Sequence, residues 1–221
     1  MAHGHAVIGI PQRATRPARA GGLGALPALL ALFPLSAALA LPQAAPQAAV
    51  GDAVFQFDSA ETKVNFTLGA TMHTVHGTFQ PSRGRVEFSG ASGALRGEIV
   101  VDAASGWSGN ASRDRKMNSD ILESEKYPAI TFRPDRVEGK LAATGESAIQ
   151  VHGIFSIHGT EHEMTLPARV QINGSRWTAS ARFSVPYVQW GMKNPSAFVF
   201  RVSQIVDVEL SATGSVAPTP R

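Results

Sequence analysis

From about residue 54 onward the chain alternates between apolar and polar positions. Val64, Phe66 and Leu68 are separated by Asn65 and Thr67, and Val86 and Phe88 alternate with Arg85 and Glu87. Leu95 to Val101 is a further run. Ile149, Val151, Gly153, Phe155 and Ile157 share one parity, and Met164, Leu166, Val170 and Ile172 share another. Trp177, Ala179, Ala181, Phe183 and Val185 alternate with polar residues, and Phe198, Phe200, Val202, Val206, Val208 and Leu210 make the last run. Period two describes strands with one face buried and one face wet. Gly- and Pro-containing clusters, "PSRG", "SGASG", "NGS" and "KNPS", separate the runs as turns. Eight or more such strands in one domain make a sandwich or an up-and-down barrel. Long strands on short turns favour the barrel, because closure removes exposed edges. An eight-stranded interior is either filled with side chains or holds one ligand. Alternation does not separate these cases, since both need an apolar inner face.

One stretch breaks the pattern. Of the fourteen residues from Arg113 to Lys126, eight are charged. Met117, Ile121 and Leu122 fall at i, i+4 and i+5, a narrow apolar stripe of one helix. Asn110 or Ser112 can supply the N-cap oxygen. Pro128 stops the helix and pushes Tyr127 toward extended geometry. The spacing predicts an amphipathic helix of about two to three turns between two strands, its stripe toward the barrel.

The N-terminus changes the charge picture. Arg13, Arg16 and Arg19 precede an uncharged Leu/Ala-rich stretch, Gly21 to Leu41, which includes Ala38-Leu39-Ala40. Basic, apolar and small-residue regions in that order read as a secretory signal peptide over 1–40. An uncleaved anchor is the competing reading, and Pro27 and Pro34 interrupt the run it would need. Cleavage would remove three arginines and no acid, taking Lys+Arg from 20 to 17 against 17 Asp+Glu. The remaining chain is formally neutral, so the basic pI belongs to the leader and does not point to nucleic acid. The chain has no Cys, so its own core must hold the fold without disulfides. A Pro/Ala/Gln linker follows (41–52), then one domain over 53–214, then a flexible tail at 215–221.

Several motifs now fall in order. They are Val64-x-Phe66, then Val75-x-Gly77-x-Phe79, then Arg113-Asp114 with Met117, Ser119-Asp120 and Ile121-Leu122. Lys126-Tyr127-Pro128 with Thr131-Phe132, "FSIHGTEHEMTL" and "QWGM" follow. This set resembles the YceI-like family of periplasmic lipid-binding proteins along most of residues 54–214. Ile121-Leu122 stands where that family has a double aromatic, and "IHGTEHEM" carries two acids where the family has a Lys. The resemblance implies an all-β fold: an eight-stranded antiparallel, lipocalin-like barrel with one or two short flanking helices. It implies a periplasmic or secreted protein without catalytic machinery or cofactor. Its partner would be a long-chain isoprenoid, an isoprenoid quinone or another amphiphilic lipid. A homodimer stays open, and no membrane span is expected after signal cleavage.

Alternation nominates Val64, Phe66, Leu68, Phe79, Phe155, Phe183 and Phe200 as inward-facing tunnel residues. Ile121 and Leu122 of the insert join them. Trp107, Trp177 and Trp190 are candidates to line a ligand channel, and Tyr127 to offer a hydroxyl at its mouth. Packing in core or rim is the alternative for each. His73 and His76 lie three apart, poor spacing on a strand for one metal ion. A turn near Gly159-Thr160 would set His158 and His162 face to face, the basis of a rival reading as a metal-dependent enzyme. The other rival is an interaction module with a filled core. No G-x-S-x-G elbow or phosphate-binding Gly loop is present.

Overall fold

The computed structural model describes residues 48–220. The expected signal peptide and most of the linker lie outside the described residues. Among the described residues ten strands carry the fold: β1 (Ala53–Phe57), β2 (Lys63–Gly69), β3 (Thr74–Phe79), β4 (Pro81–Phe88) and β5 (Leu95–Asp102) come first. After the insert come β6 (Ala129–Glu138), β7 (Gly145–Ile157), β8 (Thr160–Asn173), β9 (Arg176–Val185) and β10 (Val206–Pro218). All pairings are antiparallel, and β1 also pairs with β10, so the sheet closes on itself.

Ten strands make eight staves. β1 and β2 lie end to end along the same edge of β10: Ala53–Phe57 opposite Pro218–Gly214, and Lys63–Thr67 opposite Ser211–Asp207. The residues between them form a short excursion in which the Asp58 carboxylate accepts from the backbone N–H groups of Ala60 and Glu61. β3 and β4 form the next stave, pairing with β2 and β1 respectively and interrupted only at Gln80. The fold is therefore a closed eight-stranded antiparallel barrel of up-and-down connectivity. Closure satisfies the backbone groups that an open sheet leaves at its edges. Of the prolines inside strands, Pro81 and Pro134 stand at register shifts, between Pro81 and Arg83 and between Pro134 and Arg136, while Pro167 of β8 sits opposite Gln150 without one. A residue without an N–H is tolerated at such bulges.

The outer wall is charged. Arg83–Glu98, Arg169–Glu146 and Arg182–Glu209 pair across neighbouring strands, and Arg133 of β6 reaches over β7 to Glu161 of β8, all at 2.6–2.9 Å. Such exposed pairs add little stability. They do set this barrel apart from membrane-spanning ones, whose outward band is apolar. No helix among the described residues is long and apolar enough to cross a membrane.

Three boundaries differ from the sequence expectation. β10 runs on to Pro218, so residues assigned to the tail pair with β1. At the other end, Val50 donates to the Leu141 carbonyl and Ala143 to that of Ala48, which ties the end of the linker to the barrel. The last apolar run is not one strand. β10 begins at Val206, and Phe198 and Phe200 stand in the loop before it. That run contains Arg201, Ser203 and Gln204, and its alternation is not continuous.

The insert between β5 and β6 is helical as expected but differs in form. Asn110 caps it, its side chain accepting from the N–H groups of Ser112 and Arg113, and α1 (Ala111–Lys116) follows. The turn then widens over Met117–Ile121, where the Leu122 N–H reaches back five residues to Met117. Glu123 ends the helix in a left-handed conformation (φ 46°), well before Pro128.

Candidate functional site

The barrel is solid at one end and hollow at the other. The solid end is built on Trp177, whose ring meets Phe55 and Phe57 edge-on at 5.7 and 4.6 Å. Its indole N–H donates to the Ser215 carbonyl at 3.0 Å. Phe88, Leu95, Ile149, Ile172 and Ala212 complete that plug. Toward the other end lies a cavity of about 600 Å³. That is within the range of about 300–1,000 Å³ typical of small-molecule sites.

Its walls are almost wholly apolar. β2 supplies Val64, Phe66 and Leu68, and β3 supplies Val75 and Phe79. β7 adds Phe155 and Ile157, β9 adds Phe183 and Val185, and β10 adds Val206, Val208 and Leu210. Phe66 lies against Phe79 at 5.4 Å, and Phe155 against Phe183 at 6.1 Å. Gly77 makes the first pair possible, because a Cβ there would collide with the Phe66 ring and with the Trp107 carbonyl. That is the physical content of the Val75-x-Gly77-x-Phe79 motif.

The insert is a wall of the cavity. β5 stops at Asp102 and β6 starts at Ala129. The intervening chain covers the side of the cavity with Met117, Ile121 and Leu122. The widened turn brings the adjacent pair Ile121-Leu122 and Met117 onto one face, a local irregularity of the kind found at functional sites. The segment is pinned by polar contacts. Ser108 donates to Asp114 through both its backbone N–H and its hydroxyl, while Arg113 donates to the Ser108 hydroxyl (2.8 Å) and carbonyl (2.9 Å). Asn118 donates to the Ala104 carbonyl at 3.2 Å. The Arg113-Asp114 pair of the sequence motif is thus a clamp on the preceding loop. Both residues are half-buried, less exposed to water than their charge suggests.

Most of the polar lining comes from one side, with Thr62 and Thr131 as isolated hydroxyls elsewhere. Ser108, Asn110, Ser112, Arg113 and Lys116 all come from the insert. His73 contributes from the β2–β3 turn. Tyr187 also lines the cavity, but its hydroxyl donates to the Ser203 carbonyl at 2.7 Å, and burial raises its pKa. The arrangement is a greasy chamber with a positively charged, hydrogen-bonding margin on one side.

Nine of the residues nominated from the sequence come together here: Val64, Phe66, Leu68, Phe79, Ile121, Leu122, Phe155, Phe183 and Phe200. Two do not. The Tyr127 ring packs on His158 at 4.7 Å and against Gly159, outside the cavity lining. Trp190 stands behind the wall, 5.9 Å from Phe155, its face stacked on His162 at 3.8 Å. Of the other tryptophans, Trp177 is in the solid end and Trp107 is exposed. Ile157, Val185 and Val208 share the parity of nominated neighbours and were available from alternation. Tyr187, Met192 and Pro195 lie on the aperiodic β9–β10 connection and carried no such signal. Of the polar margin, Arg113 and Lys116 lie in a run of charge that reads as solvated, and Ser108, Asn110 and Ser112 in the uncharged stretch just before it.

The histidine hairpin differs from the geometry that a metal site needs. Ile157 pairs with Thr160, so the turn is His158-Gly159, with φ of 52° and 75°. Two left-handed central residues give the turn whose twist suits a hairpin. This sets the register one residue earlier than expected, and His162 pairs with Phe155, not His158. His158 approaches Glu123 (3.5 Å) while His162 stacks on Trp190. Among the described residues no group of three or more His, Cys, Asp or Glu is placed to hold a metal ion.

Comparison with known proteins agrees with this geometry. The profile of the YceI-like domain matches residues 55–214. A polyisoprenoid-binding domain from Saccharophagus degradans, implicated in plant cell wall breakdown, superimposes with a TM-score of 0.60 at 15% identity, covering 74% of this chain and 98% of its own. BcnA of Burkholderia cenocepacia gives 0.57 at 20% identity, with 73% and 99% covered. The YceI protein of Campylobacter jejuni gives 0.52 at 18% identity, with 66% and 86% covered. No curated protein matches the chain.

Proposed function

The chain belongs to the YceI-like family, and from that premise we propose that it is an exported, non-catalytic carrier of a long-chain isoprenoid, an isoprenoid quinone or a similar amphiphile. The observation that carries this reading is the cavity of about 600 Å³, largely apolar with its polar groups concentrated on the insert, inside a barrel whose other half is solid. A hydrocarbon chain gains about 0.8 kcal/mol for each methylene taken out of water. An apolar chamber therefore supplies affinity without specific contacts, and a few polar groups fix orientation. The tail would lie among the phenylalanines, and the head group beside Arg113 and Lys116. The described neighbour from S. degradans is a polyisoprenoid-binding domain, which supports this ligand class.

Export rests on the leader pattern: three arginines, an apolar stretch and Ala38-Leu39-Ala40. A chamber of this size counts against the filled-core module. The divergence of His158 and His162 counts against the metal enzyme.

The test is mass spectrometry of organic extracts from the purified full chain, alongside the stripped protein titrated with a polyprenyl alcohol and a quinone. The expected result is a stoichiometric isoprenoid in the extract, or saturable rebinding of one of the two probes. An extract without lipid, combined with no rebinding of either probe, would overturn the carrier reading.

A further inference from the structure

At the hollow end the protein shows an apolar surface that the barrel itself does not use. Met72, at the β2–β3 turn, is 77% exposed. Phe198 and Val199, in the β9–β10 connection, are 100% and 85% exposed, and Ile205 of the same connection is exposed as well. These residues are laced into one rim. Thr71 donates its backbone N–H and its hydroxyl to the Arg201 carbonyl (2.9 and 3.1 Å), Ser203 donates to the Gly69 carbonyl at 2.8 Å, and His73 sits 6.1 Å from the Phe200 ring. Phe200, Val202 and His73 also line the cavity, so the rim is continuous with its mouth.

Folding alone does not call for this arrangement. Ala197 and Phe200 exchange backbone hydrogen bonds across a tight turn with Phe198 and Val199 at its tip. Phe198 has φ of 34°, a left-handed conformation that a bulky side chain rarely adopts and that turns normally give to Gly or Asn. Here a fully exposed Phe occupies it. Charge points the same way. The stretch 186–205 contains Lys193 and Arg201 and no Asp or Glu, and the β2–β3 turn (70–73) contains no acid either. Clustered exposed apolar residues mark interaction surfaces. Apolar side chains flanked by cations match the interface of a bilayer with anionic head groups.

We propose that this rim docks the protein on an anionic lipid bilayer, with Met72, Phe198, Val199 and Ile205 entering the head-group region and Lys193 and Arg201 beside the lipid phosphates. The inference rests on the carrier reading for its purpose, since docking would open the cavity mouth toward the lipid reservoir. Its physics stands on the rim alone. The formally neutral domain would then bind through a local patch and not through net charge.

The test is flotation of the full chain, cleared of its leader, with vesicles of phosphatidylethanolamine and phosphatidylglycerol, against vesicles of phosphatidylcholine. The expected result is binding to the anionic vesicles that falls at least tenfold in the double variant Phe198→Ser/Val199→Ser, from lost apolar burial. Lys193→Ala and Arg201→Ala should each weaken binding about fivefold at low salt and have little effect at high salt. The serine variant should melt with the wild type and keep its extractable lipid, because neither side chain packs in the barrel or lines the cavity. Equal flotation of wild type and serine variant overturns the proposal. So does sedimentation showing a wild-type dimer that the serine variant splits, with neither form binding vesicles, since the rim would then be a self-interface. Vesicle binding by a protein that neither carries nor rebinds lipid would refute the carrier reading and leave the docking surface standing.

Discussion

β10 offers a direct test of a barrel that is half solid and half hollow. Val208 and Ala212 are four residues apart on the same face of that strand, roughly 13 Å at the usual rise. Val208 lines the cavity, while Ala212 is 2% exposed within the Trp177 plug. Replacing each with Phe adds the same ring to opposite environments. Ala212→Phe forces a ring into packed space and should cost about 1–3 kcal/mol or more. Val208→Phe grows into about 600 Å³ of cavity. It gains burial at about 0.8 kcal/mol per added carbon and loses part of that to rotamer restriction, leaving about 0–2 kcal/mol of stabilisation. Thermal melts of stripped protein should therefore diverge by several degrees, at about 2–4 °C per kcal/mol for a domain of this size. Stripping is essential, because a ligand at 100-fold above its Kd adds about 2.7 kcal/mol by mass action. Val208→Phe should also retain less lipid. If both variants destabilise equally, the hollow end is as tightly packed as the plug and the argument for a chamber fails.

Other outcomes follow from the same contacts. Ile121→Ala with Leu122→Ala should lower lipid retention before it lowers the melting temperature, because these residues wall the cavity and not the plug; simultaneous loss in a retention assay and a melt would mark the insert as structural support. Asp114→Ala removes the acceptor for two Ser108 donors and should cost about 1–3 kcal/mol, with faster amide exchange over residues 105–110 as the local readout. Burial lowers the pKa of His162, so the unfolded chain takes up a proton before the folded one does. Its contribution is whole above the ordinary histidine pKa and is lost as pH falls through the folded value. Denaturant midpoints measured from pH 7 to 5 should thus fall less steeply in His162→Gln than in the wild type.

Strict alternation told which face of each strand is buried, and β9 shows both the strength and the limit of that signal. Trp177 and Phe183 share a parity, and both point inward. One belongs to the plug and the other to the cavity, because depth along a barrel axis has no period in sequence. The Met117/Ile121/Leu122 stripe was legible as helix. Its widened turn and early stop at Glu123 were not, since a five-residue hydrogen bond and a left-handed non-glycine residue leave no mark in the apolar spacing. The hairpin at His158-Gly159 was displaced by one residue from the expected turn, and one residue is enough to send the two histidines to different neighbours. The β9–β10 connection, which supplies part of the cavity wall and most of the exposed rim, has no periodicity to read.

The β1–β10 seam joins Ala53 to Pro218, the two ends of the domain. A chain made from its N-terminus therefore presents β1 long before its closing partner exists. Contacts so distant in sequence are costly in loop entropy and slow to form. Until the last stave docks, β1 and β9 each keep a bare edge, and the half-made sheet is open to pairing with other chains. The last five residues of β10, Gly214 to Pro218, act as the clasp that ends this vulnerable interval, so the timing of their arrival bears on yield more than on final stability.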